Sequence, residues 1–284
     1  MSNNNHRSNP NWPPLQFDQI GPAELIGEGF LFTEGPLWNR EQGFLLFSDI
    51  SGNTIYKWVL PDTLEILRRP SNYANGLAYD RHGNLLAAEH GARRVSRLTP
   101  DGRLETLADN YQGRKFHSPN DIAVRSDNTI YFTDPPYGLG RRPPELPFMG
   151  LYRVDPSGKL HLEGEYDQYP NGLAFSPDEK TLYLALTEGD EVVAMDVADD
   201  GSTSRVRSFA RVPYPDGMAV DLAGNIYVAG EDGVAVLTPD GTQLGTIITQ
   251  RMPANCTFAG PEGNWLIITA RDQLYRVLVP IPGF

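Results

Sequence analysis

The segment Asn171-Gly172-Leu173-Ala174-Phe175-Ser176 decides the fold, because its pattern recurs five more times along the chain. Each copy begins with an oxygen-bearing side chain and continues into a short apolar run. The first residues of successive copies lie 41, 45, 51, 45 and 39 positions apart, and a period of this size is typical of a repeat architecture. The other copies are Glu34-Gly35-Pro36-Leu37-Trp38-Asn39, Asn75-Gly76-Leu77-Ala78-Tyr79-Asp80, Asn120-Asp121-Ile122-Ala123-Val124-Arg125, Asp216-Gly217-Met218-Ala219-Val220-Asp221 and Asn255-Cys256-Thr257-Phe258-Ala259-Gly260.

Each repeat has the pattern of four short strands. In the second repeat, a turn rich in Gly, Asp and Asn leads to apolar residues 85–88, alternating residues 95–98 and an outer stretch at 104–107. Four strands in every 40 to 50 residues are typical of a propeller blade. The sequence therefore predicts an all-β fold, a six-bladed β-propeller of four-stranded antiparallel blades.

The ends of the chain are predicted to meet in the last blade. The sixth repeat ends at Phe284 without an obvious fourth strand, whereas residues 23–26 form a short apolar stretch after a polar, Pro-rich and Asn-rich start. We expect that stretch to supply the missing strand and to close the ring, which removes two free sheet edges. The predicted organisation is a flexible N-terminal tail over residues 1–22 and a single propeller domain over residues 23–284.

Composition narrows the functional classes. The chain has 24 Lys and Arg against 36 Asp and Glu, a formal charge of −12, which disfavours nucleic acid and anionic membrane surfaces as partners. The polar start lacks the apolar region of a signal peptide, so we expect a cytoplasmic protein. Cys256 is the one cysteine, which excludes an intrachain disulfide and a Cys-rich zinc site. The oligomeric state is left open between monomer and homodimer.

The repeated polar residues predict a metal site. The innermost strands of a propeller surround a central channel, so their first residues share one mouth. Glu34, Asn120, Asn171 and Asp216 would bring two carboxylates and two amide carbonyls together, a ligand set that suits Ca²⁺. Zn²⁺ prefers His and Cys, although Zn²⁺, Mn²⁺ and Mg²⁺ remain alternatives. Alternatively, Asn-Gly and Asp-Gly simply make turns, but the fixed register of the six copies favours a site.

An oxygen-ligated cation with open positions is a Lewis acid, and Asp216 could both bind it and accept a proton from water. Asp121 breaks the glycine pattern and is interpreted either as part of the site, where it is a further acid or orients the ligands, or as a hydrogen-bond acceptor for turn amides. His90 and His117 lie near the expected mouth, where each is either a substrate contact or a structural histidine. The residues predicted to contact substrate are Asn75, His90, His117, Asp121, Tyr137 and Asn255.

One insertion interrupts the repeats. Residues 137–147, in the 51-residue third repeat, are rich in Pro and Gly. Most of this segment is expected to be a solvated loop. Because the segment follows the second strand of its blade, its first residues could form a lid over the mouth.

Five short motifs in this chain resemble those of one known family. They are Thr33-Glu34-Gly35-Pro36, Ser118-Pro119-Asn120-Asp121, Phe132-Thr133-Asp134-Pro135-Pro136-Tyr137-Gly138, Pro170-Asn171-Gly172-Leu173-Ala174 and Pro215-Asp216-Gly217. Together they resemble the SMP-30/gluconolactonase/luciferin-regenerating-like family, and the third is most similar to bacterial gluconolactonases.

The resemblance implies a six-bladed propeller with a divalent metal, usually calcium, in its channel. It also implies that Glu34, Asn171 and Asp216 are ligands, that Asn120 is a ligand or substrate contact, and that Asp216 is the catalytic acid/base or nucleophile. The animal branch carries a substrate-binding Arg where this chain has Ser118.

These patterns lead to one main functional hypothesis and two alternatives. The main hypothesis is a metal-dependent lactonase, a hydrolase of carboxylic ester bonds that opens glucono-1,5-lactone or a similar sugar lactone. A related esterase or organophosphate hydrolase would use the same ion and carboxylate, and would be favoured by a neutral, apolar pocket. The third reading is a non-catalytic propeller in which the ion is structural.

Overall fold

The computed structural model describes residues 12–59 and 61–284, in which short strands and tight turns predominate. Two three-residue 3-10 helices, Phe17–Gln19 and Thr187–Gly189, accompany the strands. No helix within these ranges is long and apolar enough to cross a membrane. The fold is all-β, as the sequence predicts.

The strands, numbered in chain order, form six four-stranded antiparallel blades and one small hairpin. In each blade the strands are given from the innermost outwards. Blade 1 consists of β2 (Thr33–Asn39), β3 (Phe44–Asp49), β4 (Thr54–Val59) and β5 (Thr63–Arg68), and blade 2 of β6 (Ala74–Tyr79), β7 (Leu85–Glu89), β8 (Arg94–Leu98) and β9 (Leu104–Ala108). Blade 3 consists of β12 (Ile122–Val124), β13 (Ile130–Asp134), β14 (Met149–Val154) and β15 (Leu160–Tyr166). Blade 4 consists of β16 (Pro170–Phe175), β17 (Thr181–Leu186), β18 (Glu191–Val197) and β19 (Thr203–Arg211), and blade 5 of β20 (Met218–Val220), β21 (Ile226–Gly230), β22 (Gly233–Leu237) and β23 (Gln243–Ile247). Blade 6 consists of β24 (Asn255–Ala259), β25 (Trp265–Ala270), β26 (Gln273–Leu278) and β1 (Glu24–Glu28). The hairpin is β10 (Asn110–Tyr111) with β11 (Arg114–Lys115).

The two ends of the chain close the ring in blade 6. Strand β1 pairs antiparallel with β26, with Glu24 opposite Arg276 and Glu28 opposite Gln273. The innermost strands contact one another in succession, and β24 returns to β2. The predicted closure by an N-terminal strand is therefore confirmed.

Each seam between neighbouring blades is filled by its own hydrophobic cluster. At the closing seam, Leu45, Phe47 and Trp58 of blade 1 pack against Ile267 and Leu274 of blade 6. The alternation along each strand sends successive side chains to opposite faces of a blade, and each face meets a neighbouring blade. The core is thus a ring of seams around a channel, and the polar first residues of the innermost strands are left to line that channel.

The predicted tail falls into two parts. Residues 1–11 lie outside the described residues. Within residues 12–22, Leu15 is buried, and Trp12, Phe17 and Ile20 pack against the cluster between blades 5 and 6. Packing against the propeller therefore begins before residue 23.

Most of the insertion is exposed, as its composition predicts, but a few of its residues anchor it to the propeller. Leu139 and Leu146 are buried. The guanidinium of Arg142 donates to the carbonyl oxygens of His90 at 2.8 Å and Gly91 at 2.7 Å, and Glu145 pairs with a guanidinium nitrogen of Arg93 at 3.0 Å. Loop backbone and blade 2 are thereby tied together next to the channel mouth.

A kink at the start of the innermost strand directs the polar residue to the axis. In blade 4 the pairing register shifts between Pro170 and Leu173, and blades 1 and 2 have a shift at the same place in the repeat. Such bulges re-aim a side chain. The glycine that follows has a second role, because a Cβ on Gly172 would lie 2.2 Å from the carbonyl oxygen of Asp216 in the next blade. The Asn-Gly pair is thus required by the close approach of neighbouring blades.

The closing seam can be tested with a pair of leucines on one strand. Replacement Leu274→Ala opens a cavity in the closing cluster, so we expect a loss of about 2–5 kcal/mol in the free energy of unfolding. Leu278→Ala is the control, since Leu278 is 57% exposed on the same strand and its loss should change stability by less than about 0.5 kcal/mol. Urea unfolding of both variants measures the difference, and equal losses would contradict a packed seam.

The steric role of the repeat glycine gives a second prediction. Gly172→Ala should destabilise the protein by about 3 kcal/mol, because the added methyl group overlaps the backbone of the next blade. Gly21→Ala is the matched control, since its Cβ would meet nothing nearer than the carbonyl oxygen of Leu278 at 3.4 Å. Denaturant midpoints compare the two, and a neutral Gly172→Ala would show that the blades are less closely packed at the axis.

Candidate active site

Six polar side chains surround the channel mouth, one from each blade, and we call this set the hub. Five of the six are buried, and Asp216 is partly exposed. Blades 3 and 5 place the hub residue just before the innermost strand, where backbone bonds from Asn120 N to Thr133 O and from Asp216 N to Ala229 O, both 2.8 Å, extend the pairing. The repeat thus presents the hub residue to the axis in every blade. The hub consists of Glu34, Asn75, Asn120, Asn171, Asp216 and Asn255.

Hydrogen bonds connect four consecutive side chains around the hub. The amide of Asn75 donates to Oδ1 of Asn120, and Nδ2 of Asn120 donates to Oδ1 of Asn171 at 2.9 Å. Nδ2 of Asn171 then donates to Oγ1 of Thr187 at 3.0 Å, and that hydroxyl donates to the carbonyl oxygen of Pro215 at 2.8 Å. The amide oxygens of Asn120 and Asn171 are therefore each oriented by the preceding hub amide, and each keeps a second lone pair.

The two hub carboxylates are less fully engaged than the amides. Oε2 of Glu34 accepts hydrogen bonds from Gly35 N at 2.8 Å and from Nδ2 of Asn255 at 3.0 Å. Asn255 is itself fixed, since its Oδ1 accepts from Cys256 N at 2.8 Å. These bonds orient the Glu34 carboxylate and occupy one of its two oxygens, which leaves Oε1 for a ligand.

Burial and mutual repulsion perturb the acidic groups. Burial raises the pKa of Glu34 to about 7, and the negative charge of Asp121 adds to that effect. Burial also raises the pKa of Asp216 well above its usual value, followed by the charges of Glu34 and Asp121. Both are cases in which desolvation and nearby like charge disfavour the ionised form. A bound cation would remove this penalty.

The contacts of Asp121 are those of a hydrogen-bond acceptor for backbone amides. Its Oδ1 accepts from Ile122 N at 2.9 Å, and its Oδ2 accepts from Leu173 N at 3.3 Å. Burial raises its pKa to about 6. Asp121 therefore joins blades 3 and 4 below the hub and adds negative charge to it.

The predicted histidines occupy different places. Nε2 of His90 lies 3.5 Å from Nδ2 of Asn75, beside the hub, and burial together with the charge of Arg142 lowers the pKa of His90 to about 4. A neutral imidazole is the form that results. His117 is buried beside Asp134, which accepts from the backbone N of His117 at 2.7 Å, and its ring lines a cavity next to the hub.

Tyr137 lies between that cavity and the hub. Burial raises the pKa of its phenol. Hydrogen bonds to Thr187 and Asn171 lower that pKa, and the charge of Asp216 raises it, so all three residues lie near the phenol. The ring of Tyr137 packs against that of Tyr169 with centroids 5.3 Å apart. The structure therefore brings Tyr137 to the hub residues, as the sequence predicts for the first part of the insertion.

Sequence reasoning missed Thr187 and Arg271. The guanidinium of Arg271 stacks on the Phe32 ring at 4.8 Å, and its charge lowers the pKa of both Glu34 and Asp216. Both residues directly follow the second strand of their blade, as His90 does. The repeat gives no signal for them, because the six copies of that position hold residues of different types: Ile50, His90, Pro135, Thr187, Glu231 and Arg271.

The hub can be examined as a cation site through its donor chemistry. Within residues 12–59 and 61–284, no three His, Cys, Asp or Glu side chains are arranged to hold a metal by themselves. A cation at the hub would therefore need amide oxygens in addition to Glu34 and Asp216. Hard cations such as Ca²⁺ accept that mixture of carboxylate, amide carbonyl and water ligands, whereas Zn²⁺ does so less readily. The residues present fit a hard divalent ion.

Comparisons with known proteins agree with this architecture. A gluconolactonase from Zymomonas mobilis is 33% identical over 292 residues, which cover 92% of this chain and 82% of the relative. The solved structure of a gluconolactonase from Xanthomonas campestris is 35% identical, has a TM-score of 0.84 and covers 96% of this chain and 100% of its own. A structural genomics target related to gluconolactonases is 31% identical, with a TM-score of 0.88 over 98% of both chains.

The SMP-30/Gluconolactonase/LRE-like region matches residues 32–272, which include all six hub residues. This match extends from the first blade to the final hairpin of the propeller. The chain therefore belongs to the SMP-30/gluconolactonase/LRE-like family.

Proposed function

We propose that this protein is a metal-dependent lactonase that hydrolyses a sugar lactone, such as glucono-1,5-lactone or a similar aldonolactone, to the aldonic acid. The observation that carries the proposal is the hub, where two perturbed carboxylates and a chain of oriented amides meet at one mouth of the propeller. Relatives that carry the name gluconolactonase support the reaction class.

Glu34, Asn120, Asn171 and Asp216 would hold the ion. Ca²⁺ fits this set best, and Mn²⁺, Mg²⁺ or Zn²⁺ would compete for it. When bound, the ion supplies Lewis acidity that polarises the lactone carbonyl. Asn75 orients the amide of Asn120 and Asn255 orients the carboxylate of Glu34, so both act on the ion through its ligands.

Asp216 is the proposed general base. Its carboxylate has two oxygens, so one can face the ion while the other takes a proton from the attacking water. Water oxygen bonds to the carbonyl carbon, the ring C–O bond breaks, and the proton held by Asp216 passes to the released alkoxide. Burial and the charges of Glu34 and Asp121 make this carboxylate more basic than usual, which favours proton abstraction.

The surrounding groups suit a polyhydroxylated ring. Neutral His90, the Tyr137 hydroxyl and His117 offer donors and acceptors beside the hub, while Asp121 holds the backbone of two blades in place. An esterase or organophosphate hydrolase using the same groups is the second candidate, because leucine, proline, phenylalanine and methionine side chains line part of the cavity next to Tyr137. A propeller with a purely structural ion is the third.

The role of Asp216 is tested by substitution and by metal removal. Asp216→Asn should lower kcat for glucono-1,5-lactone by about 10²–10⁴-fold, since it removes both the base and a ligand charge. Chelation should abolish activity and Ca²⁺ should restore it, with acid release followed by a pH indicator. Asp232→Asn, exposed on the same blade, is the matched control. Activity that survives both Asp216→Asn and complete chelation would contradict the proposed mechanism.

Arg271 gives a prediction of opposite sign. Its positive charge acts on Glu34 and Asp216, so it also repels a cation held between them. Arg271→Met should tighten Ca²⁺ binding by about 1 kcal/mol, or roughly fivefold, as measured by titration calorimetry. Arg251→Met is the control, because Arg251 pairs with Asp272 at 2.9 Å on the surface. Unchanged or weaker Ca²⁺ binding in Arg271→Met would place the ion away from the hub.

A further inference from the structure

We propose that the cavity beside the hub binds an apolar alkyl or aryl substituent of the lactone, so that lactones bearing such a group are substrates of this protein. This inference rests on the proposed lactone hydrolysis at the hub. It extends the substrate class from bare sugar lactones to lactones with a hydrophobic arm, and it assigns the inserted loop a role in their recognition.

The cavity lies between the inserted loop and the start of blade 4. Its volume is about 690 Å³, within the range of about 300–1,000 Å³ that is usual for small-molecule sites. One six-membered lactone ring occupies only a part of such a space. The cavity therefore has room for a substituent that extends beyond the reacting ring.

Apolar side chains supply somewhat more than half of the cavity lining, and His117, Asp167 and three tyrosines add polar atoms to the rest. The loop contributes Leu139 and Leu146, both buried, and Phe148 and Met149 follow at its end. Arg142 also borders the space, but its guanidinium already donates to the carbonyl oxygens of His90, Gly91, Leu139 and Gly138. It therefore offers little to a polar ligand. Sugar hydroxyls placed against the two leucines, the phenylalanine and the methionine would lose their hydrogen bonds to water and gain none in return.

The cavity adjoins the hub at Tyr137, although none of the six hub residues lines it. Tyr137 and Tyr169 both line it, and their rings contact each other. The Tyr137 phenol is also a neighbour of Asn171, Thr187 and Asp216. A substituent in the cavity is therefore separated by only one aromatic side chain from the atoms that would hold the reacting carbonyl.

Tyr169 has a repeat-equivalent partner that serves as a control. Tyr169 lies two residues before hub residue Asn171, and Tyr73 lies two residues before hub residue Asn75. Both tyrosines have left-handed backbone, with φ of 54° and 55°. Tyr73 is not among the residues that line the cavity. Substitution at the two sites perturbs the same local geometry, but only one of them alters the cavity.

The test uses δ-lactones with a methyl, propyl, pentyl or heptyl group at C5, together with glucono-1,5-lactone. We expect kcat/KM to rise by about fourfold for each methylene that enters the cavity and then to level off. Tyr169→Ala should reduce this gain at least tenfold across the series, whereas Tyr73→Ala should leave the dependence on chain length unchanged. Met149→Trp, which takes up part of the cavity, should make the gain level off at a shorter alkyl chain.

The outcomes separate the inference from the function on which it rests. If glucono-1,5-lactone is hydrolysed but kcat/KM is flat or falls with chain length, the cavity assignment is wrong and the lactonase proposal stands. If no lactone is hydrolysed, the lactonase proposal fails. In that case 6-alkyl-2-piperidones, lactam analogues that are not turned over, still probe the cavity by calorimetry. Affinity that does not increase with alkyl length, or increases equally in Met149→Trp, would overturn the inference.

Discussion

Desolvation of two carboxylates at one channel mouth is the constraint on which the centre of this protein depends. Glu34 and Asp216 come from the first and fifth blades, and burial is the main cause that raises the pKa of each. Repulsion adds to this effect, from Asp121 on Glu34 and from Glu34 and Asp121 on Asp216. The positive charge of Arg271 lowers the pKa of both carboxylates and so offsets part of this effect. Two carboxylates in such a position are stabilised either by taking up a proton or by binding a cation. The oriented amides favour the cation, because their oxygens are further ligands for it.

Packing between the blades holds the strands that carry these residues, and hydrogen bonds then orient the side chains. Every seam has a separate hydrophobic cluster, and the last seam joins the two ends of the chain. The axis is crowded enough that a glycine must follow the hub residue where the next blade approaches, as at Gly172 and Gly217. A Cβ on Gly217 would lie 2.0 Å from the side chain of Asn255. The close approach of the blades at the axis therefore depends on the same two-residue segments that place the hub side chains.

Much of this could be predicted from the sequence because the repeat carries it. The period gave six blades, the missing last strand gave the closure by β1, and the fixed offset gave the six hub residues. Tyr137 was found because it opens the insertion, three residues after the end of β13. Thr187 and Arg271 were not, because a hairpin residue shows no residue-type pattern of its own. The anchoring of the insertion was also missed, since its contacts depend on Arg142 reaching carbonyl groups that are distant in sequence. The identity of the ion, the roles of the site residues and the cytoplasmic location stay predictions.

The central claim is that a divalent cation is held at the hub by Glu34, Asn120, Asn171 and Asp216. Its most direct test is a crystal structure of the protein grown with Ca²⁺ and measured for anomalous scattering. The account predicts a single strong peak at the channel mouth, with carboxylate and amide oxygens of these residues at about 2.3–2.6 Å. An empty hub at saturating Ca²⁺, or a peak held by other residues while lactone hydrolysis continues, would contradict it.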